Sequence, residues 1–269
     1  MGSLEQPLLP PRVQHLRMRA AVAAASIHFG LSLVMAASIA AIMFGLWFPY
    51  PYRDVAGGQH LFWMVVGVDV VCGPLLTGVL FNPVKSRREL TLDLSLVALV
   101  QLAALLYGLH SVTLARPVVV AFETDRLVAV SATDISVSEL PQAPAEFQRL
   151  SWTGPVLLGT RTPKNGEETL KSVELSIQGI EPSARPGWWQ SYEESRPVIR
   201  QRMKKLAALR SKLPSTKQAV VDESVSKTGI PVDQLYYLPL VSKKQLDTWI
   251  ALLDSQGTIK GYAPVGGFD

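Results

Sequence analysis

The stretch Leu61-Phe-Trp-Met-Val-Val-Gly-Val-Asp69-Val-Val-Cys-Gly73-Pro-Leu-Leu-Thr77-Gly-Val-Leu-Phe81 decides the fold, because one charge interrupts an otherwise apolar run. A helix rises about 1.5 Å per residue, so about 20 apolar residues cross a 30 Å hydrocarbon core. On its N-terminal side, Ala20 to Phe48 contains no Asp, Glu, Lys or Arg. On its C-terminal side, Leu94 to Leu114 also contains none, and Asp93 stands just before it. Core helices of soluble proteins seldom lack charge over such lengths. Three such runs in one chain therefore read as transmembrane helices. The first run follows Arg12, Arg17 and Arg19 as a signal peptide would. It is, however, much longer than an apolar signal core of about 7–15 residues, and a retained helix is expected.

Charge separates this part from the rest. The chain has 269 residues, 48% hydrophobic and 18% charged, with a net charge of +4. Residues 1–115 hold 7 Lys+Arg and 5 Asp+Glu, whereas residues 116–269 hold 19 and 17, an ordinary density for a water-facing domain. The small excess forms no basic stripe, so no nucleic-acid partner is expected. Lys and Arg mark the cytoplasmic side. Arg12, Arg17 and Arg19 precede the first span; Lys85, Arg87 and Arg88 lie between the second and third; only Arg53 lies between the first and second. The expected layout has seven parts: a cytoplasmic tail (1–19), helix one (20–48), a periplasmic loop (49–60), helix two (61–81), a cytoplasmic loop (82–90), helix three (91–115) and a periplasmic α+β domain (116–269). In a bacterial chain this is a multi-pass inner-membrane protein. Trp47, Phe48, Tyr50, Tyr52 and Trp63 stand where interfacial aromatics are expected at the outer boundary.

The outer domain reads as mixed. Pro117 to Phe122 and Leu127 to Val130 around Glu123-Thr124-Asp125 predict a hairpin, and Pro155 to Thr160 a further strand. Leu235 to Leu238, Thr248 to Leu253 and Thr258 to Tyr262, the last two joined by Asp254-Ser-Gln-Gly257, complete the β signals. Between them, Pro197 suits a first helical turn, and Ile199, Met203, Leu206, Leu209 and Leu213 predict one amphipathic helix.

Chemistry is sparse. His15, His28, His60 and His110 all lie in the anchor, and Cys72 is the sole cysteine. Residues 116–269 therefore carry no Ser-His-Asp or Cys-His nucleophile and no ordinary zinc set. Neither GxxxxGK[ST] nor GxGxxG occurs. No catalytic residue, cofactor site or metal site is expected, and the outer domain reads as a binding surface.

Asp69 is the informative residue. About eight residues into helix two, it lies on the order of 12 Å deep. A carboxylate there is costly unless protonated, paired or facing a partner. Its face continues through Gly73 and Thr77, while Pro74 removes an intrahelical donor. One reading has Asp69 bonded to Tyr107 of helix three or to a backbone carbonyl, locking the bundle. The other offers Asp69, Gly73, Pro74 and Thr77 to a foreign transmembrane helix. Ala37, Ala41 and Gly45, and Ser26 with Gly30, form small-residue ridges on helix one, and a homo-oligomer stays open. Trp188-Trp189 is read either as core or as an aromatic anchor for a protein partner.

These residues bring a family into view. Gly67-Val-Asp69-Val-Val-Cys-Gly73-Pro-Leu-Leu-Thr77, followed by Phe81-Asn-Pro83-Val-Lys85, resembles the second-helix signature of type IV pilin accessory proteins. The resemblance continues through Arg116-Pro117, Phe122, Asp125-Arg126, Ala132-Thr-Asp-Ile135, Tyr237-Leu-Pro-Leu240, Gly261-Tyr-Ala-Pro264 and Gly267-Phe268. Leu127 and Gly266 depart from it, where an aromatic and an acid are expected. The resemblance implies a non-enzymatic, chaperone-like factor for type IV pilus (fimbrium) biogenesis. Its partner would be a type IV pilin, whose apolar helix with an embedded glutamate waits in the inner membrane. Helix two would meet that helix, and residues 116–269 would meet the pilin head. Two other classes compete: an envelope enzyme using Asp69, His60 and His110, and a sensor or transporter subunit using Asp69 as a proton relay.

Overall fold

The computed structural model describes residues 11–268. The first ten residues of the expected cytoplasmic tail, and Asp269, lie outside the described residues. Two compact units emerge. One holds the chain up to Ile42 with His60–Ser111, and the other holds Met43–Gln59 with Val112 onward.

The first unit is helical, and three helices are long and apolar enough to cross a membrane: Gln14–Trp47, Gly58–Leu80 and Arg87–Ala115, of 34, 23 and 29 residues. The α-helical part of the first, α1, is Pro11–Ile42, and Met43–Trp47 continues it as a π-turn. After a single turn α2 (Tyr52–Val55) come α3 (Gly58–Leu80) and α4 (Arg87–Ala115). Large apolar side chains such as Leu31, Val34, Val79 and Leu99 point outward, while Ser32, Ala36, Val66, Gly73, Thr77 and Val97 are buried. Lipid is as apolar as leucine, so small and polar residues form the contacts instead. A Cβ at Gly73 would lie 2.0 Å from Gln101 Nε2, and one at Gly108 2.8 Å from Val65 Cγ1. These glycines are what let α3 and α4 approach.

The second unit is an α+β domain. Its strands are β1 (Pro117–Glu123), β2 (Arg126–Ser131), β3 (Val156–Thr160), β4 (Trp189–Ser191), β5 (Lys204–Lys205), β6 (Tyr236–Val241), β7 (Trp249–Leu253) and β8 (Ile259–Ala263). They order as β4-β3-β1-β2-β6-β7-β8, with β5 on β6. β1–β3 and β2–β6 are parallel; the other pairs are antiparallel. Alternation sorts side chains between the faces. Val120, Phe122, Leu238 and Leu240 join one core with Tyr192 and Ile199; Val119, Ala121 and Leu158 join another with Ala184 and Trp189. A third gathers Leu206, Leu209, Val221, Tyr237 and Leu252.

The fold class is as expected: three apolar helices, then a mixed domain. The expected hairpins are present, and Thr124 turns the first with a φ of 57°. The single helix expected from Pro197 to Leu213 is two. Helix α6 (Tyr192–Arg202) starts earlier, because Ser191 and Glu194 close a reciprocal capping box, which leaves Pro197 inside the helix. It stops at Met203 because Lys204 and Lys205 pair with Tyr237 and Tyr236 as β5, and α7 (Leu206–Lys212) follows. Two unanticipated helices complete the domain: α5 (Gly166–Ile177), capped by the Asn165 side chain on the Glu168 N–H, and α8 (Ser215–Ser226).

Candidate partner-binding site

Asp69 is half-buried on α3, and its Oδ1 is buried with no hydrogen bond among the described residues. Gln101 Nε2 donates to the Asp69 backbone carbonyl at 3.4 Å, and His28 lies within electrostatic reach. Tyr107 is not its partner: the ring is 75% exposed on the outside of α4. One turn beyond Gly73, Thr77 is buried, with its hydroxyl 2.6 Å from His28 Nδ1. Gly73 and Thr77 are thus already used, one by Gln101 and the other by His28. The α3 helix runs on through Pro74, which supplies no donor to the Val70 carbonyl. The Gln101 side chain also reaches the Asp69 carboxylate, and the atom left with an unmet demand among the described residues is Oδ1. The histidine in this cluster is His28, not the His60 or His110 of the enzyme reading.

On α1 the inward seam is Ala25, His28, Ser32, Ala36 and Ile39; Ser26, Gly30, Ala37 and Ala41 all face out. Gly45, in the π-turn, is exposed too. Cys72 is also exposed.

In the outer domain, Trp188 and Trp189 are each 4% exposed and take no surface position. Trp189 Nε1 donates to the Ser183 carbonyl at 2.9 Å. The guanidinium carbons of Arg161 and Arg185 lie 4.5 and 4.6 Å from the Trp188 ring centre. Arg161 also forks onto Glu168, at 2.6 and 2.9 Å. That charge-assisted pair, with the Lys164 backbone N–H, holds the Glu168 carboxyl down at about 2. Trp189 belongs to the core and Trp188 lies buried against two guanidiniums, so neither ring stands out as an exposed anchor.

The segment between the first two long helices holds what sequence reasoning missed. Phe48 and Val55 are fully buried, and Tyr52 nearly so. Ser242 Oγ donates to the Val55 carbonyl at 2.6 Å, and Gln245 Nε2 to the Asp54 carbonyl at 3.3 Å. Tyr50 sets its ring edge to face against Trp249 and Tyr262, at centroid distances of 5.7 and 6.4 Å. A Cβ at Gly154, whose φ is 85°, would lie 3.1 Å from Pro49 Cγ. Phe48 and Tyr52 are therefore pieces of the outer domain's core, whereas Tyr50, 51% exposed, keeps a surface place beside Trp249 and Tyr262. Trp63, 63% exposed on α3, keeps the outward position expected of an interfacial aromatic. The domain is consequently joined to apolar helices at three points of the chain: the end of α1, the start of α3 and the end of α4. These contacts are invisible in the local sequence because partners such as Ser242 lie 187 residues away.

Residues 16–57 match the family model described as Fimbrial assembly protein FimB, a region that contains most of this inserted segment. The chain is 39% identical over 243 residues to the fimbrial assembly protein of serogroup I of Dichelobacter nodosus, covering 90% of this chain and 94% of that one. The serogroup E1 protein of the same organism gives the same identity and coverage. The protein of serogroups C1 and C2 is 48% identical over 117 residues, covering 44% of this chain and 89% of that relative. No solved structure matches.

Proposed function

From the premise that this chain belongs to the fimbrial assembly protein family, we propose that it is a non-enzymatic membrane factor of fimbrial (type IV pilus) biogenesis. It holds a pilin in the inner membrane, chaperone-like, before assembly. Helix α3 meets the pilin's apolar helix, and the outer domain, on the periplasmic side, meets its head.

The observation that carries this reading is the buried Asp69 Oδ1, an acceptor without a donor inside an apolar helix bundle. Such a group costs several kcal/mol until something donates to it. An incoming helix that offers an amine, or a second carboxyl sharing a proton, would lift that cost. The inserted 43–59 segment supports the second half of the reading. It adds chain from between the first two apolar helices to the compact outer unit, which gives that unit a folded body of its own for meeting the head. The bias of Lys and Arg toward the N-terminus and the 82–90 loop supports the periplasmic side for that body.

The test is Asp69→Leu in the full chain, with co-purification of the fimbrial subunit and surface fimbriation as readouts. Loss of both at a normal protein level is expected. Unchanged values would remove Asp69 from the mechanism. His60→Ala/His110→Ala separates the enzyme reading, since this pair is expected to leave fimbriation intact.

A further inference from the structure

A groove of about 860 Å³ opens between α5 and α6. Val173 and Ile177 of α5 and Val198 of α6 line it with apolar surface; Glu123, Glu181 and Glu194 line it with carboxylates. Helix α5 is unusual in that three of its four large apolar residues face away from the core, Leu175 being partly buried. Leu170, Val173 and Ile177, spaced three and four apart, are 75%, 54% and 83% exposed, and its buried residue is Ser172. A helix that packed its stripe on its own domain would show the reverse.

Charge selects what covers this face. Parallel pairing of Phe122 with Gly159 brings the end of β3 beside the end of β1, where the groove opens. The anionic headgroups of a lipid surface would meet carboxylates there. Of the two cations lining the groove, Arg161 is held by Glu168, which leaves Arg202 against three acids. The Glu123 carboxylate accepts the Ser183 N–H at 2.8 Å, with the Ser183 side chain and Arg126 also acting on it, and Glu181 accepts the Ser176 hydroxyl at 2.8 Å. Burial, with Glu181 nearby, pushes the Glu123 carboxyl up, and a cation brought into the groove would oppose that shift. Thr124, at the same edge, is a β-branched residue in the left-handed region, a strained turn beside the opening.

We infer that this groove docks a polypeptide segment of the client's head whose apolar side chains alternate with Lys or Arg. The inference rests on the function proposed above and adds to it a location and a chemistry. The apolar side chains cover Val173, Ile177 and Val198, and the cation sits between Glu123 and Glu181.

The test uses the full-length chain co-expressed with its own fimbrial subunit. A photoreactive residue is placed at Val198, and another at Thr216 on α8, a helix that packs at the β8 edge of the sheet. Capture of the subunit from Val198 and not from Thr216 is expected, through a peptide containing Lys or Arg. Ile177→Asp and Glu181→Lys, both at exposed positions, are expected to lower that capture about tenfold while the thermal midpoint holds. Four outcomes overturn the groove: no capture at Val198 while the subunit still co-purifies, capture indifferent to Glu181→Lys, an acidic captured peptide, or capture of a second copy of this chain. In the first case the proposed function stands without the groove. Loss of co-purification itself from the unmodified chain would overturn both.

Discussion

The hydroxyl of Tyr52 lies 2.9 Å from the hydroxyl of Tyr262, joining a segment between two apolar helices to the last strand of the sheet, 210 residues away. The two rings meet edge to face with centroids 6.0 Å apart, and Tyr52 is 7% exposed. Burial pushes the phenol of Tyr52 upward, so both hydroxyls stay protonated and share one hydrogen bond at every working pH. The 43–59 segment and the sheet thereby belong to one compact unit.

Tyr52→Phe should cost about 1 kcal/mol, the net worth of a part-buried hydrogen bond. Tyr52→Ala should cost about 3–5 kcal/mol, as for other large-to-small changes in a core. Denaturant unfolding of the purified full chain, followed by its tryptophan fluorescence, checks both. In a double-mutant cycle, Tyr262→Phe should add little once Tyr52 is already Phe.

Gly73→Leu should destabilise the helical bundle by about 1–3 kcal/mol through overpacking against Gln101. Gln101→Ala in the same chain should recover much of the loss, because it empties the space that the leucine enters. Unfolding in mixed micelles measures this, and a Gly73→Leu chain as stable as the parent would refute the close approach.

Stability in acid should depend on Glu168. Its folded value of about 2 lies below the ordinary 4.5, so its contribution is complete above about 4.5 and lost as the pH falls toward 2. Glu168→Gln should flatten the unfolding midpoint over that window. Glu123 runs the opposite way. Burial raises it, so its ionised form costs stability at neutral pH, and the cost lifts as the pH falls below the raised value. Glu123→Gln should therefore remove a gain on acidification, not a loss.

Thr124→Asn should stabilise the domain by about 0.5–1 kcal/mol, since asparagine tolerates the left-handed conformation better than a β-branched residue. Thermal unfolding reads the change, and a lower midpoint would mean the threonine earns its place through a contact.

A reporter fused after Asp269 should behave as non-cytoplasmic, and one placed in the 82–90 loop as cytoplasmic. The inverse result would reverse the orientation and deprive the outer domain of a secreted client.

The long apolar runs, the hairpins and the family were legible in the chain because each depends on neighbours. Hydrophobic length is a local sum, a hairpin needs a turn between alternating residues, and Gly67 to Lys85 is contiguous. The capping signals Ser191 with Glu194, and Asn165 with Glu168, were equally local and could have revealed α5 and the true start of α6. Tertiary structure alone decided the rest. Which way Tyr107 points, whether Gly73 and Thr77 are free or spent, and that Trp188 and Trp189 are core all depend on which helix or strand arrives opposite them. The inserted segment is the clearest case. Tyr52 has the composition of a membrane-interface residue, and the same amphipathic ring serves equally well in a protein core. Only the arrival of Trp249, Ser242 and Tyr262 from the far end of the chain distinguishes the two.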